Sequence, residues 1–197
     1  MKKLLTLNKE GKLSLRAADG GEIEVQLKQR NVLLLIDTSG SMAGAKIEHA
    51  KSGATDFAHS AIAKSYAAAL GVFADRAAMV CDPTSEVAHF ARKIAGVRIG
   101  LVGGSTDLAA GLVLAGKFRD LAAVVVVTDG QSNNNRAALK VAANLKNRGI
   151  EIICIGTDDA DGDFLRQLAS RSDLAAHVLP ENLRSAITDA SRFLPQG

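Results

Sequence analysis

Apolar residues in this chain gather into short unbroken runs separated by segments of helical period. Val32–Ile36 and Ala122–Val127 are apolar at every position, and Glu151–Ile155 nearly so. Runs of this length are far short of the roughly 20 residues that span a bilayer, and they read as strands buried on both faces. Ser65–Phe73 reads as a further strand, Ala77–Cys81 as a short antiparallel edge, and Ala176–Leu179 as a last short strand. Between them, helical patterning covers Lys46–Ala63, Glu86–Ile94, Leu108–Phe118, Asn135–Arg148, Phe164–Ser172 and Leu183–Phe193, with Gly149 placed to end the fourth. Strand and helix alternate, and the strands lack a polar face. That pattern predicts an α/β fold: a Rossmann-like, doubly wound, mainly parallel sheet with helices on both faces.

Residues 1–30 differ. Lys12–Arg16 and Glu22–Lys28 alternate apolar and polar positions around Asp19-Gly20-Gly21, a β-hairpin signal. The expected organisation is an N-terminal hairpin over 1–30, appended at an edge, and a single domain over 31–197.

Composition narrows the function classes. A chain of 197 residues builds one ordinary core, which at 47% hydrophobic and 4% aromatic residues rests on Ala, Val, Leu and Ile. A net charge of +3 with scattered Lys and Arg gives no nucleic-acid footprint. The opening Met1–Leu5 begins like a leader, but Lys9, Glu10 and Lys12 interrupt it. Cys81 and Cys154 fall in predicted strands and read as buried free thiols. The expectation is a soluble cytoplasmic protein without nucleic-acid or membrane partners.

The chemistry lies at the strand ends. Val32–Ile36 runs into Asp37-Thr38-Ser39-Gly40-Ser41, one carboxylate and two hydroxyls at alternate positions. In an open α/β sheet the C-terminal strand edge is where ligands bind. A hard cation such as Mg²⁺ prefers small oxygen donors there. Two later places offer more oxygens: Gly103-Gly104-Ser105-Thr106-Asp107-Leu108, and Thr128-Asp129-Gly130 after the second buried strand.

This set resembles the von Willebrand factor type A domains, over roughly residues 30–195. The resemblance implies a metal-ion-dependent adhesion site with Asp37, Ser39, Ser41, Thr106 and Asp129 as the shell of Mg²⁺ or Mn²⁺. Ser105 is a competitor for the Thr106 hydroxyl role. In such sites the serines and threonine tend to touch the ion while the aspartates act through water. A cation among neutral oxygens keeps much of its charge and seeks an anionic ligand. The implied function is binding of a partner protein that presents Asp or Glu. Intracellular relatives act with AAA-type ATPases or in metal-insertion complexes, so an accessory subunit of such a machine is a second reading. A rim of Thr38, an exposed Met42, Ser105, Ser132 and Asn133 is expected to help choose the partner. The last helix is expected to pack.

Other features carry less. Asp107 reads as a helix cap. His49, His59, His89 and His177 lack paired ligand spacing. The acidic run 158–163 resembles a calcium loop, but no glutamate follows at the required place. An enzyme is not expected. A Mg-dependent phosphoryl-transfer hydrolase is the alternative, because a strand ending in Asp37 resembles haloacid-dehalogenase-like phosphatases. Against it stand Ser39 where a second carboxylate is needed, no lysine in the site loops, and no Walker A or Gly-x-Ser-x-Gly motif.

Overall fold

The computed structural model describes residues 29–130 and 132–195 and the backbone of three N-terminal strands. Six strands form the main sheet, in the order β6-β5-β4-β7-β8-β9. They are β4 (Asn31–Asp37), β5 (Ala67–Phe73), β6 (Ala77–Thr84), β7 (Leu121–Thr128), β8 (Glu151–Thr157) and β9 (Ala175–Val178). All neighbours are parallel except β5 and β6, which pair antiparallel at the edge as the sequence predicts. β5 and β7 are buried along their whole length, and Val32–Ile36 of β4 has no exposed surface. A strand covered on both faces cannot alternate, which is why these segments are continuous apolar runs.

Among the described residues six α-helices accompany the strands: α1 (Ala45–Ala63), α2 (Val87–Ala95), α3 (Leu108–Gly116), α4 (Asn135–Asn147), α5 (Gly162–Leu168) and α6 (Leu183–Ala190). α1 packs against α2 and α6, whereas α3 packs on α4 and α4 on α5, so helices cover both faces of the sheet. Asp107 caps α3 by accepting from the Ala110 N–H, and Asn134 caps α4 from the Ala137 N–H. Gly149 follows α4 in a left-handed conformation (φ +75°) that closes the helix.

Several elements differ from expectation, among them β6, which runs on to Thr84 rather than stopping at Cys81, and α6, which ends at Ala190 before a 3₁₀ turn over Ser191–Phe193. The predicted helix over Phe164–Ser172 begins at Gly162 and stops at Leu168, because Ala169 turns to extended backbone (ψ 153°). The chain then passes through a short 3₁₀ turn, Ser172–Leu174. At the N-terminus the hairpin strands β2 (Lys12–Arg16) and β3 (Glu22–Gln26) pair antiparallel. They are joined by an unforeseen β1 (Leu4–Leu7), and the three form their own sheet rather than extending the main one. The Asp19-Gly20-Gly21 turn lies outside the described residues.

The last helix does pack, and closely. A Cβ on Gly53 of α1 would lie 2.8 Å from the Arg184 carbonyl oxygen and 2.9 Å from Ile187 Cβ on α6. Arg184 Nε also donates to Asp56 Oδ2 at 2.9 Å across the same pair of helices. Gly53→Ala therefore sets helix propensity, worth about 1 kcal/mol in favour of Ala, against overpacking of about 1–3 kcal/mol. The expected outcome is a lower urea midpoint, a net loss of about 1 kcal/mol. A raised midpoint would show that α1 and α6 do not meet at this distance.

Candidate metal centre at the C-terminal strand edge

β4 and β7 are adjacent and parallel, so their C-terminal ends bring Asp37 and Asp129 to the same edge of the sheet. Both residues are buried, at 0% and 2% exposure, and each carboxylate needs partners there. Asp37 Oδ1 accepts the Ser39 N–H at 2.8 Å, and Oδ2 accepts the Thr128 hydroxyl at 2.7 Å. Burial pushes the Asp37 carboxyl above its ordinary pKa. The hydrogen bonds from Thr128 and Ser39 oppose that shift, and the charge of Asp129 adds to it. Asp129 Oδ1 accepts the Ser41 hydroxyl at 2.7 Å, and the Ser41 and Ser39 hydroxyl oxygens are 3.1 Å apart.

Thr106 comes from the loop before α3. Asn133 N donates to its carbonyl oxygen at 2.9 Å, and the next residue's amide, Asp107 N, donates to the Ala74 carbonyl at 2.8 Å. Its side-chain hydroxyl has no partner among the described residues. The bare Cα of Gly130 marks the convergence: a Cβ there would sit 3.3 Å from Thr106 Oγ1 and 3.9 Å from Ser41 Oγ. The oxygens of Ser39, Ser41, Thr106 and Asp129 thus gather at one spot, with Asp37 beneath them holding the loop. Among the described residues no three His, Cys, Asp or Glu side chains gather to hold a metal. An ion at this edge would rely on the hydroxyls, a donor set that suits a hard cation.

The rim differs from the sequence reading in two residues. Met42 has no exposed surface, because the 3₁₀ turn Gly40–Met42 folds its side chain down into the core. Thr38 is also fully buried, with its hydroxyl donating to the Phe73 carbonyl at 3.3 Å. Neither can touch a partner. Ser105 and Asn133 are exposed and joined, Asn133 Nδ2 donating to Ser105 Oγ at 2.9 Å. Ser132 is half-buried beside them and accepts weakly from the Asn134 N–H at 3.5 Å.

Two residues escape a sequence reading. Asp75, in the turn between β5 and β6, accepts the Ser105 N–H at 2.8 Å, the Gly104 N–H at 3.2 Å, and the Ser105 hydroxyl. The Ser105 hydroxyl and these two amides hold its carboxyl below the ordinary range. Ser105 is thereby committed to Asp75 and does not compete with Thr106. Gly103 adopts φ +120° against this side chain, where a Cβ would collide with Asp75.

The second is Lys46, near the start of α1. Its ammonium is paired with Asp129 Oδ2 and with Asp158 Oδ2 at 2.7 Å, the latter at the end of β8. Desolvation pulls the Lys46 pKa down, but the hydrogen bonds and charges of Asp129 and Asp158 outweigh it and hold it above the ordinary lysine value. A lysine does therefore reach the site, which removes one of the arguments against phosphoryl transfer. Ser39 still stands where a second carboxylate is needed, and the structure adds a further argument: Asp37, which would be the nucleophile, is fully buried with both oxygens bonded. Two more carboxylates of the acidic run are committed elsewhere. Asp161 caps α5, and Asp163 pairs with Arg166.

A family model of the von Willebrand factor type A domain matches residues 31–190, and the chain belongs to that family. It is 30% identical over 174 residues to the magnesium-chelatase 60 kDa subunit of Cereibacter sphaeroides, covering 79% of this chain. It spans only 31% of that relative's length. Among solved structures, the vWF domain of the pilus tip protein Mfa5 from Porphyromonas gingivalis superposes with a TM-score of 0.73 at 14% identity. That match covers 87% of this chain and 98% of the other. Proximal thread matrix protein 1 from the mussel byssus, solved with a zinc-occupied metal-ion-dependent adhesion motif, gives 0.69 at 19% identity. It covers 83% of this chain and 46% of the other. At these identities the two structures establish the fold, a mostly parallel α/β sheet.

Asp75 generates a test of the loop that carries Thr106. Asp75→Ala removes the acceptor for two amides, so hydrogen exchange at Gly104 and Ser105 is expected to accelerate by about tenfold, the scale of one charge-assisted hydrogen bond. The melting temperature should barely move, because the site is at the surface. Unchanged exchange would mean that the loop is held from elsewhere.

Proposed function

We propose that Asp37, Ser39, Ser41, Thr106 and Asp129 hold a divalent cation, Mg²⁺ or Mn²⁺, and that the protein uses it to bind an acidic side chain of a partner protein. The observation carrying this reading is the convergence of oxygens at the strand edge: Ser39, Ser41 and Asp129 are linked by hydrogen bonds, and Ser41 and Thr106 meet beside Gly130. The ion, when bound, supplies a Lewis-acidic position that a carboxylate completes. Ser39 and Ser41 present hydroxyls from one short turn, so a single backbone segment fixes both. Asp37 orients that turn through the Ser39 amide and is itself oriented by Thr128. Because hydroxyls rather than carboxylates predominate, the bound ion keeps charge to offer an anionic ligand. Ser105 and Asn133 add hydrogen-bonding groups at the exposed rim.

Family membership supports this reading, as does the zinc-occupied motif of the mussel protein. Similarity to a magnesium-chelatase subunit favours a role inside a larger assembly, with an AAA-type ATPase as one candidate partner. In that setting the domain over 31–197 grips a carboxylate and the N-terminal strands over 1–30 form an appended unit. Binding rather than catalysis is the proposed role. Among the described residues no helix is long and apolar enough to cross a membrane.

Metal titration tests the site. Mn²⁺ added to the wild type, followed by the resonance of the free ion, is expected to bind one equivalent, and Ser41→Ala to bind about tenfold more weakly or not at all. Far-UV dichroism should be unchanged. Equal binding by both proteins would put the metal elsewhere. A protein partner retained from lysate by wild type in Mg²⁺ should be released by EDTA and missing from Ser41→Ala. Retention in both conditions would move the interaction to another surface.

A further inference from the structure

Lys46 is placed where a lysine has reason not to be. It lies in the first turn of α1, where the helix dipole disfavours a cation, and no side chain caps that end. Its ammonium is nonetheless drawn inward, with its side chain only 18% exposed, onto the fully buried Asp129 carboxylate. The two oxygens of that carboxylate are divided between Ser41 and Lys46. Asp158, the other anchor, is 36% exposed and takes a left-handed backbone (φ +50°) that brings β8's end to this place. Its carbonyl also meets His177 Nε2 at 3.1 Å. One ammonium therefore joins the end of β7, the end of β8 and the start of α1.

We propose that Lys46 is an intramolecular cation that competes with the metal for Asp129, so that an ion binds only by displacing the ammonium, which Asp158 then retains. This rests on the metal reading above and adds a determinant of its affinity outside the shell. Two features give the competition its sense. The ammonium and the ion seek the same carboxylate, and the positive charges repel across it. Asp158 is outside the five-residue shell, so Lys46 gives up one of two partners and not both. In the absence of metal the ammonium neutralises Asp129, whose charge would otherwise be buried without a cation. Loading the ion frees Lys46 on one side and loosens the tie between β7 and β8, which couples occupancy of the site to the loop after β8.

The test uses the full chain and Mn²⁺ alone. Lys46→Met keeps the apolar stem and the helix propensity and removes the charge. It is expected to bind Mn²⁺ about tenfold or more tightly than wild type, the loss of one charge-assisted competitor. Ser41→Ala introduced into Lys46→Met should weaken it again, which locates the ion. In the wild type, acylation of Lys46 read by mass spectrometry should accelerate when Mg²⁺ is added. Lys64, whose ammonium donates to the Ser191 carbonyl at 2.6 Å, should not respond. This second measurement decides the matter if Lys46→Met folds poorly. Wild type and Lys46→Met binding Mn²⁺ equally, with Lys46 acylation indifferent to Mg²⁺, would overturn the competition and leave the metal site standing. Failure of both proteins to bind Mn²⁺ would overturn the metal site and the competition together.

Discussion

Two carboxylates buried side by side at the end of a parallel sheet are the constraint around which this protein is arranged. Asp37 ends β4 and Asp129 follows the adjacent β7, both buried at the polar end of strands whose bodies are apolar. Burying an ionised carboxylate is costly unless its oxygens are hydrogen-bonded or paired. Every oxygen is accounted for: a backbone amide and a threonine hydroxyl on Asp37, a serine hydroxyl and an ammonium on Asp129. The 3₁₀ turn after β4, the side chain of Thr128 and the direction of Lys46 all follow from that requirement. A strand edge with only apolar residues would need none of them.

Topology explains why these groups meet. From β4 the chain moves through α1 to β5 and then to the edge strand β6, before α3 carries it back across β4 to β7. The loops after β4 and β7 therefore leave neighbouring strands in different directions and open a crevice at their C-terminal ends. Ligand sites of open α/β sheets form at such reversals. The loop before α3 completes one wall, because it is pinned by Asp75 from the β5–β6 turn and by Asn133 from beyond β7. Three segments distant in sequence are thus tied to one another by hydrogen bonds around the place where the hydroxyls converge.

Legibility in the sequence followed physical locality. Val32–Ile36 and Ala122–Val127 declared themselves because a strand buried on both faces leaves an unbroken apolar run, and the residues that end such runs are placed by the strand itself. Asp37 and Asp129 were legible for that reason. Met42 misled because its burial depends on a 3₁₀ turn that rotates it inward, which no periodicity records. Lys46 was hidden for the opposite reason: on a helix surface a lysine ordinarily projects into solvent, and only the position of β8 brings Asp158 to it. Asp75 carries no local sequence signal for its role, because its bonds to residues 104 and 105 span about thirty positions. The early end of α5 at Leu168 likewise has no marker, since no glycine or proline stands at Ala169.

The same inventory of charge bears on what the proposed ion would attract. Without it, the Lys46 ammonium neutralises one carboxylate of the buried pair and leaves the other to its hydrogen bonds. With it, a divalent cation would meet the charge of both aspartates, and Lys46, held by Asp158, would remain close by. Hydroxyls would supply the other protein ligands, so no third carboxylate of this chain would add to the shell. Under the proposed reading, an arriving carboxylate would complete that cation's coordination beside Ser105 and Asn133, which are already joined to each other. Desolvating that carboxylate carries a penalty, which the proposed ion would offset more effectively than an ammonium, because its charge is doubled. A lysine alone at this edge would not discriminate between partners in the same way. It is already paired twice, so a third carboxylate would find one remaining N–H on an ammonium whose charge Asp129 and Asp158 already offset.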